Sequence, residues 1–269
     1  MTKILAPIER LFTPYALIAI NVVIILLAEF TGRGRFFAET GLIHFISVIF
    51  VGLIIVRIFS DYAFSDYILK GFLKIQLAFF LFLGLVHVYE YLGLHIFMLD
   101  SEVVELSVAT SYLLWFLGIV LATGFVFRIY HRRSAIYTAI PWMAIAVIFV
   151  GLVGANVSST FAQRLPGWVP LTILAGTIIF SAKGILSTRK IIEIMPVFKE
   201  YSRYAVPAML LLVLAAFAEY FESTGSLEAL GVSEVQILYL AHFLMHAVLS
   251  FLLVAFGKLK KPTGIYAEM

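Results

Sequence analysis

The chain lacks cysteine entirely, although it has 269 residues. Without thiols it can form no disulfide, no iron–sulfur cluster, no cysteine zinc site and no covalently attached c-type haem. Histidine, carboxylate, methionine and tyrosine side chains remain as ligands. The cofactors still open to the chain are therefore a transition metal, such as iron, zinc or copper, or a non-covalently held haem b.

Charged residues are also scarce. They make up only 13% of the chain against 62% for hydrophobic residues, whereas a soluble domain carries about a quarter of its residues as Asp, Glu, Lys and Arg. Too little polar surface is available to cover a water-facing globule. The composition predicts an integral membrane protein whose main partner is the lipid bilayer.

Signatures of common enzyme and nucleic-acid-binding classes are missing as well. The chain contains no G-x-S-x-G, no phosphate-loop sequence and no H-E-x-x-H, so no hydrolase or nucleotide-binding class follows from a local motif. The net charge of +3 comes from basic residues in the loops, and we expect no nucleic acid partner.

Long apolar runs predict the fold class. A helix needs about 20 apolar residues to cross the hydrocarbon core, and about eight such stretches are present. They predict an all-α, polytopic integral membrane protein with a single transmembrane domain over residues 1–269. The predicted spans are 12–30, 41–59, 71–92, 103–128, 135–155, 168–186, 204–222 and 234–257.

The charges of the loops alternate along this series of spans. Basic residues gather before the first span and after each even-numbered one. The other loops hold mainly acidic and small residues, with Arg33, Arg35 and Arg164 as exceptions. By the positive-inside rule, this pattern predicts a multi-pass protein of the cell membrane with both termini in the cytoplasm. The basic residues on the predicted cytoplasmic side are Lys3, Arg10, Arg57, Lys70, Lys74, Arg128, Arg132, Arg133, Lys183, Arg189, Lys190, Lys199, Arg203, Lys258, Lys260 and Lys261.

A weak internal repeat relates the halves 1–133 and 134–269. A shift of about 132 residues lays Glu90 on Glu222 and Gly93 on Gly225. The triplet 28–30, Ala-Glu-Phe, is echoed by 218–220, Ala-Glu-Tyr. We interpret the repeating unit as a helix hairpin, with copies related by an axis along the membrane normal.

Ionisable residues inside spans are expensive, so their positions carry information. Under the predicted topology they cluster in the outer half of the bilayer, as pairs at i,i+3 and i,i+4 that each share one helix face. The inventory resembles the ligands of dinuclear metal sites in helix bundles, although the spacing here is His-x-x-Glu and Glu-x-x-Glu. The predicted metal ligands are His87, Glu90, Glu219, Glu222, His242 and His246. Redox or other metal-dependent chemistry is the first function hypothesis.

Haem b is the second hypothesis. Two neutral histidines from different helices would hold the iron from opposite faces, in an electron-transfer or quinol-interacting subunit of a respiratory complex. Other membrane subunits or an extracytoplasmic redox partner would then be expected. The candidate haem ligands are His44, His87, His242 and His246.

Two further hypotheses stay open. Buried Glu and His also suit a proton or metal-ion transporter, but the inner half of the spans has few polar residues to continue a path. Alternatively, the polar cluster only ties helices together in a structural anchor subunit. Under that interpretation the glutamates are interfacial, His44 and His95 bond backbone carbonyls, and Asn21 makes an interhelical hydrogen bond.

Overall fold

The computed structural model describes residues 13–32, 41–62, 67–97, 168–194, 198–224, 227 and 231–259. These residues form helices and their connections, with no strand among them, which confirms the all-α prediction for this part of the chain. The helices are α1 (Pro14–Phe30), α2 (Leu42–Tyr62), α3 (Tyr67–His95), α4 (Trp168–Ile194), α5 (Phe198–Thr224) and α6 (Glu234–Gly257).

Three of these helices contain stretches long and apolar enough to cross a membrane. The stretches are Ile43–Tyr62, Phe198–Phe221 and Gln236–Gly257. Large apolar side chains also point outward from the helices, among them Val56, Phe59 and Leu85. Such faces are consistent with contact with a lipid bilayer. The predicted spans 103–128 and 135–155 lie outside the described residues.

Local signals fix where α2 and α6 begin. Gly41 precedes α2 with φ +66°, and Gly231 precedes α6 with φ +78°, a left-handed conformation that glycine adopts at little cost. Ser233 then caps α6: its Oγ accepts from the Gln236 amide, and the Gln236 Oε1 accepts from the Ser233 amide. This capping box satisfies two amides at the helix start and sets the register of the residues that follow.

Helix α6 lies at the centre of the described bundle. It is the most buried of the three candidate spans, and it packs against α1, α2 and α5. Its small residue Ala255 is fully buried, as is Leu249. The apolar core around it combines side chains from α1, α2, α3 and α5.

Helices α2 and α6 run side by side in the same direction. Ser47 contacts His246 and Arg57 contacts Gly257, and the sequence separations of these pairs are 199 and 200 residues. A nearly constant sequence separation between contacting residues indicates that two neighbouring helices run parallel. We call the end of the bundle where α2 and α6 begin the His end, and the end where they stop the Arg57 end.

The other neighbours of this pair run in the opposite direction. Tyr15 near the start of α1 meets Phe251 near the end of α6, with ring centroids 5.9 Å apart. Phe45 near the start of α2 meets Tyr91 near the end of α3 at 5.6 Å. Helices α1 and α3 therefore finish at the His end.

At the Arg57 end, α2 caps the last turn of α6. The Arg57 Nη2 donates to the Gly257 carbonyl oxygen at 3.0 Å, and the Arg57 Nε lies 3.3 Å from the Asp61 Oδ2. The last carbonyls of a helix lack partners within it. The guanidinium therefore satisfies one of them and carries its positive charge at the favourable pole of α6.

Candidate histidine site

Four histidines from three helices converge in the interior of the bundle. His44 comes from α2, His87 from α3, and His242 and His246 from α6. The other three are all close enough to His246 to interact with it electrostatically. Sequence reasoning named all four as candidate haem ligands, and the structure brings them into one neighbourhood.

His44 and His242 form the closest pair. Their ring centroids are 4.6 Å apart and the planes are inclined by 56°. His44 is buried, with 8% of its surface exposed, and His242 is half-buried. Because α2 and α6 run in parallel, the two rings project from corresponding levels near the His end.

The backbone fixes the tautomer of His242. Its Nδ1 lies 3.0 Å from the carbonyl oxygen of Leu238, one turn earlier on α6. A carbonyl oxygen only accepts, so Nδ1 carries the proton and the lone pair of the neutral ring is on Nε2. Metal-binding histidines are usually held this way, with the second nitrogen donating to a carbonyl or carboxylate.

His246 is held differently, by side chains on two other helices. Its Nδ1 donates to the Asn21 Oδ1 at 3.2 Å, and its Nε2 accepts from the Ser47 hydroxyl at 2.9 Å. His246 and Ser47 are fully buried, and Asn21 is 3% exposed. Both ring nitrogens are thus used, and the bonds join α1, α2 and α6. The expected interhelical role of Asn21 is confirmed.

Apolar and backbone groups close off the far side of His246. Phe50 stacks on its ring with centroids 5.9 Å apart and an interplanar angle of 27°. Ser250, the next polar side chain along α6, donates to the His246 carbonyl at 2.7 Å. Between this level and Arg57, the α2 residues Val51 and Ile54 are fully buried. The polar region therefore belongs to the His end of the bundle.

The Ser47–His246–Asn21 chain has the order of a nucleophile, base and orienting group, but it lacks the rest of a hydrolytic site. Ser47 is 0% exposed and lies within α2, where backbone amides are bonded to carbonyls one turn earlier. Amides so engaged cannot form an oxyanion hole. These hydrogen bonds are better explained as a structural link between three helices.

Among the acidic members of the predicted metal set, only Glu219 has a described side chain. No group of three or more His, Asp and Glu side chains within the described part of the chain is close enough to hold a metal ion. Glu219 is half-buried on α5. Glu90 and Glu222 lie on α3 and α5, with side chains outside the described residues. The predicted six-residue set stays a prediction.

Sequence reasoning missed Ser47. It offered His44 or His87 against His242 or His246 and did not choose among these pairs. Nothing in the spacing of Ser47 distinguishes it from other small residues in an apolar helix. The pairing of His44 with His242 did leave a signal: both histidines are followed by phenylalanine, as His44-Phe45 and His242-Phe243. Two such dipeptides in apolar helices could have been read as equivalent positions.

Comparison with known proteins adds no further assignment: no protein-family model, no curated protein and no solved structure matches this chain.

Proposed function

We propose that this chain is a polytopic membrane protein that binds a transition-metal ion between His44 and His242. The single observation that carries the proposal is the 4.6 Å separation of their ring centroids in the bundle interior. Imidazole is the commonest protein ligand for such metals. The His242 tautomer supports the same assignment, because its Nδ1 proton is committed to the Leu238 carbonyl.

The ring separation suits two ligands on adjacent corners of one ion. Metal–nitrogen bonds are about 2 Å long. Two imidazoles on opposite sides of an ion would therefore place their centroids about 6 Å apart, beyond the 4.6 Å found here. Neighbouring ligands, with a bond angle near 90–110°, fit the shorter distance.

The same distance disfavours haem b as the occupant of this pair. Axial haem ligands lie on opposite faces of the porphyrin, so the His44 and His242 rings are too close together to enclose it. His246 is also a poor axial ligand, since its Nε2 accepts from Ser47 and its Nδ1 donates to Asn21. At the His44–His242 pair, metal binding is thus better supported than haem binding.

The apolar residues beyond His246 favour a resident ion over a transported one. A transport path would have to continue past Phe50 and the buried side chains of Val51 and Ile54. These groups offer no ligand to a cation or proton. The hydrogen bonds of His246 with Asn21 and Ser47 link helices, as the structural-subunit hypothesis expects. That hypothesis gives no reason for the close approach of His44 and His242.

The parallel arrangement of α2 and α6 is compatible with the eight-span topology. Two adjacent parallel spans need an odd number of crossings between them, as the predicted arrangement has. Tyr201 near the start of α5 meets Phe256 near the end of α6, so α5 begins at the Arg57 end, and α4 ends three residues before it. The described Lys and Arg residues therefore lie towards the Arg57 end. With both termini in the cytoplasm, the histidine site would face the outer side of the membrane.

Elemental analysis of the purified protein tests this proposal. We expect a stoichiometric transition metal in wild-type protein and its loss in the variants His44→Gln and His242→Gln. His131→Gln, which changes the histidine of a predicted cytoplasmic loop outside the described residues, serves as the matched control. A reduced-minus-oxidised visible spectrum of the same samples detects haem.

Two results would overturn the proposal. Metal retained in both His44→Gln and His242→Gln would show that the pair is not the binding site. A b-type haem band in the spectrum would instead favour the electron-transfer hypothesis.

A further inference from the structure

One flank of the α2–α3 hairpin carries two lysines and two exposed apolar side chains. Lys70 and Lys74 are four residues apart on α3, so they share one face of that helix. Lys74 is exposed and Lys70 is half-buried. On α2, Val56 and Phe59 are each 67% exposed. The packing of the two helices determines how these four side chains lie relative to one another.

The contact of Gly84 with α2 sets the register of the hairpin. A Cβ at Gly84 would lie 3.2 Å from the Cγ1 of Val51 and 3.7 Å from the Cδ1 of Ile55, so Gly84 faces the space between these two residues. Towards the Arg57 end, Phe59 lies eight residues from Val51, and Lys74 lies ten residues from Gly84. Since each residue advances a helix by about 1.5 Å, Lys74 is about 3 Å nearer the Arg57 end than Phe59.

Helical rotation brings the lysines and the apolar side chains to the same flank. Each residue turns a helix by about 100°. Relative to the line that joins the axes of α2 and α3, Phe59 is turned by about 60° and Lys74 by about 80°, both towards one side. Phe72 is turned to the other side, where its ring meets that of Phe198 on α5 with centroids 5.3 Å apart. Helix α5 therefore lies on the flank opposite the lysines.

The positive charge of the two lysines is not neutralised within the described part of the chain. No described carboxylate forms an ion pair with Lys70 or Lys74. By contrast, Arg57 at this end of the bundle is paired with Asp61. Like charges four residues apart on a helix repel each other and destabilise it. A bound anion between the two ammonium groups would remove that repulsion.

We propose that Lys70 and Lys74 bind the headgroup phosphate of an anionic phospholipid whose acyl chains lie along Val56 and Phe59. The order of the groups matches such a lipid, because the cationic side chains are nearer the end of the bundle and the exposed apolar ones are deeper. Clustered basic residues beside a membrane span attract anionic lipids. A soluble phosphate would gain nothing from the apolar side chains. The site is at the end opposite the histidines and does not depend on the proposed metal.

Site-specific fluorescence quenching in nanodiscs tests the lipid site. Because the chain has no cysteine, a fluorophore attached through Val56→Cys reports on lipids at this flank. The quencher is phosphatidylglycerol or phosphatidylcholine with a spin-labelled acyl chain. We expect phosphatidylglycerol to associate about 25-fold more strongly, from about fivefold per lysine. Phe30→Cys, which is 86% exposed in the wild type and lies at the His end, should show no preference.

Substitution of one lysine at a time tests where the charge must lie. Lys74→Gln should reduce the preference for phosphatidylglycerol at Val56→Cys by about fivefold. Lys199→Gln is the matched control, because it removes one exposed lysine from the same end of the bundle but from α5, on the opposite flank. It should leave the preference unchanged. Equal denaturation midpoints of the variants and the wild type check that the fold is retained.

Three results would overturn the lipid site. One is equal association of the two lipids at Val56→Cys in otherwise wild-type protein. Another is an equal loss of preference in Lys74→Gln and Lys199→Gln, which would show that the general charge of this end attracts the lipid. The third is displacement of phosphatidylglycerol by inorganic phosphate, which would show that the lysines bind a soluble anion.

Discussion

The Ser47 hydroxyl donates to the Nε2 of His246 across the seam between α2 and α6, at a distance of 2.9 Å. The bond lies near the middle of α6 in a stretch that can cross a membrane. At that depth no water is available to replace a lost partner. The stability of the contact between α2 and α6 therefore depends on the hydroxyl group of Ser47.

Ser47→Ala tests that sensitivity. We expect the free energy of unfolding to fall by about 1 kcal/mol, since interhelical hydrogen bonds in membranes contribute about 0.6–2 kcal/mol. Denaturation of the purified protein in detergent measures the change. Ser60→Ala, at an exposed position of the same helix, should leave stability unchanged. Equal effects of the two variants would argue against the bond.

Substitutions of the two α6 histidines should have different effects, one on stability and the other on metal binding. His246→Leu removes the partner of two buried groups, Asn21 and Ser47, and should cost about 2 kcal/mol or more, because orphaned buried polar groups cost about 1–3 kcal/mol each. His242→Leu should change stability by less than about 1 kcal/mol, as expected for a half-buried position, but should abolish metal binding.

Thermal denaturation and elemental analysis of both variants provide the two readouts. The folded fraction of His246→Leu is expected to retain metal. If His246→Leu is as stable as wild type and free of metal, then His246 is a ligand and not a structural tie.

Two glycines of the α2–α3 hairpin should respond to alanine in opposite ways. A Cβ at Gly84 would lie 3.2 Å from the Cγ1 of Val51, which is fully buried. Gly84→Ala should therefore destabilise the protein by about 1 kcal/mol through overpacking.

Gly52 is the matched control, because a Cβ there meets no described atom within 4 Å. Gly52→Ala should stabilise the helix by about 0.5–1 kcal/mol. Denaturation midpoints of the two variants measure both effects, and shifts of the same sign would contradict the packing of α2 against α3.

The absence of cysteine makes the orientation directly testable with single introduced cysteines. Thr31→Cys and Phe97→Cys mark the His end, and Ser60→Cys and Lys199→Cys mark the Arg57 end; all four positions are exposed. In intact cells, a membrane-impermeant maleimide should label only the first pair. Labelling of the second pair alone would reverse the predicted orientation.

The helices could be predicted well from the sequence, because a run of apolar residues suffices to define one. The run 234–257 coincides with α6, and 12–30 contains α1. Helices α3, α4 and α5 extend further at the Arg57 end than the apolar runs do. Their extra turns carry Lys70, Arg189 and Lys199, whose long side chains let a helix continue past the hydrocarbon.

The site could be predicted only in part. The depth of each histidine follows from its place in a span. The sequence could therefore predict that His44, His87, His242 and His246 converge. Which rings meet depends on how α2 and α6 pack, and no local spacing encodes the contact between His44 and His242, which lie far apart in the sequence. The eight-span count, the repeat and the acidic ligands stay predictions.

The separation between Ser47 and His246 also has a consequence for biosynthesis. A ribosome that adds about 5–20 residues per second needs roughly 10 to 40 s to synthesise the 199 residues between them. During that interval the Asn21 amide and the Ser47 hydroxyl are already made while their common partner is not. Until α6 is inserted, these polar groups must find other hydrogen-bond partners in the membrane or the translocation channel. Misassembly and degradation compete with folding during this period.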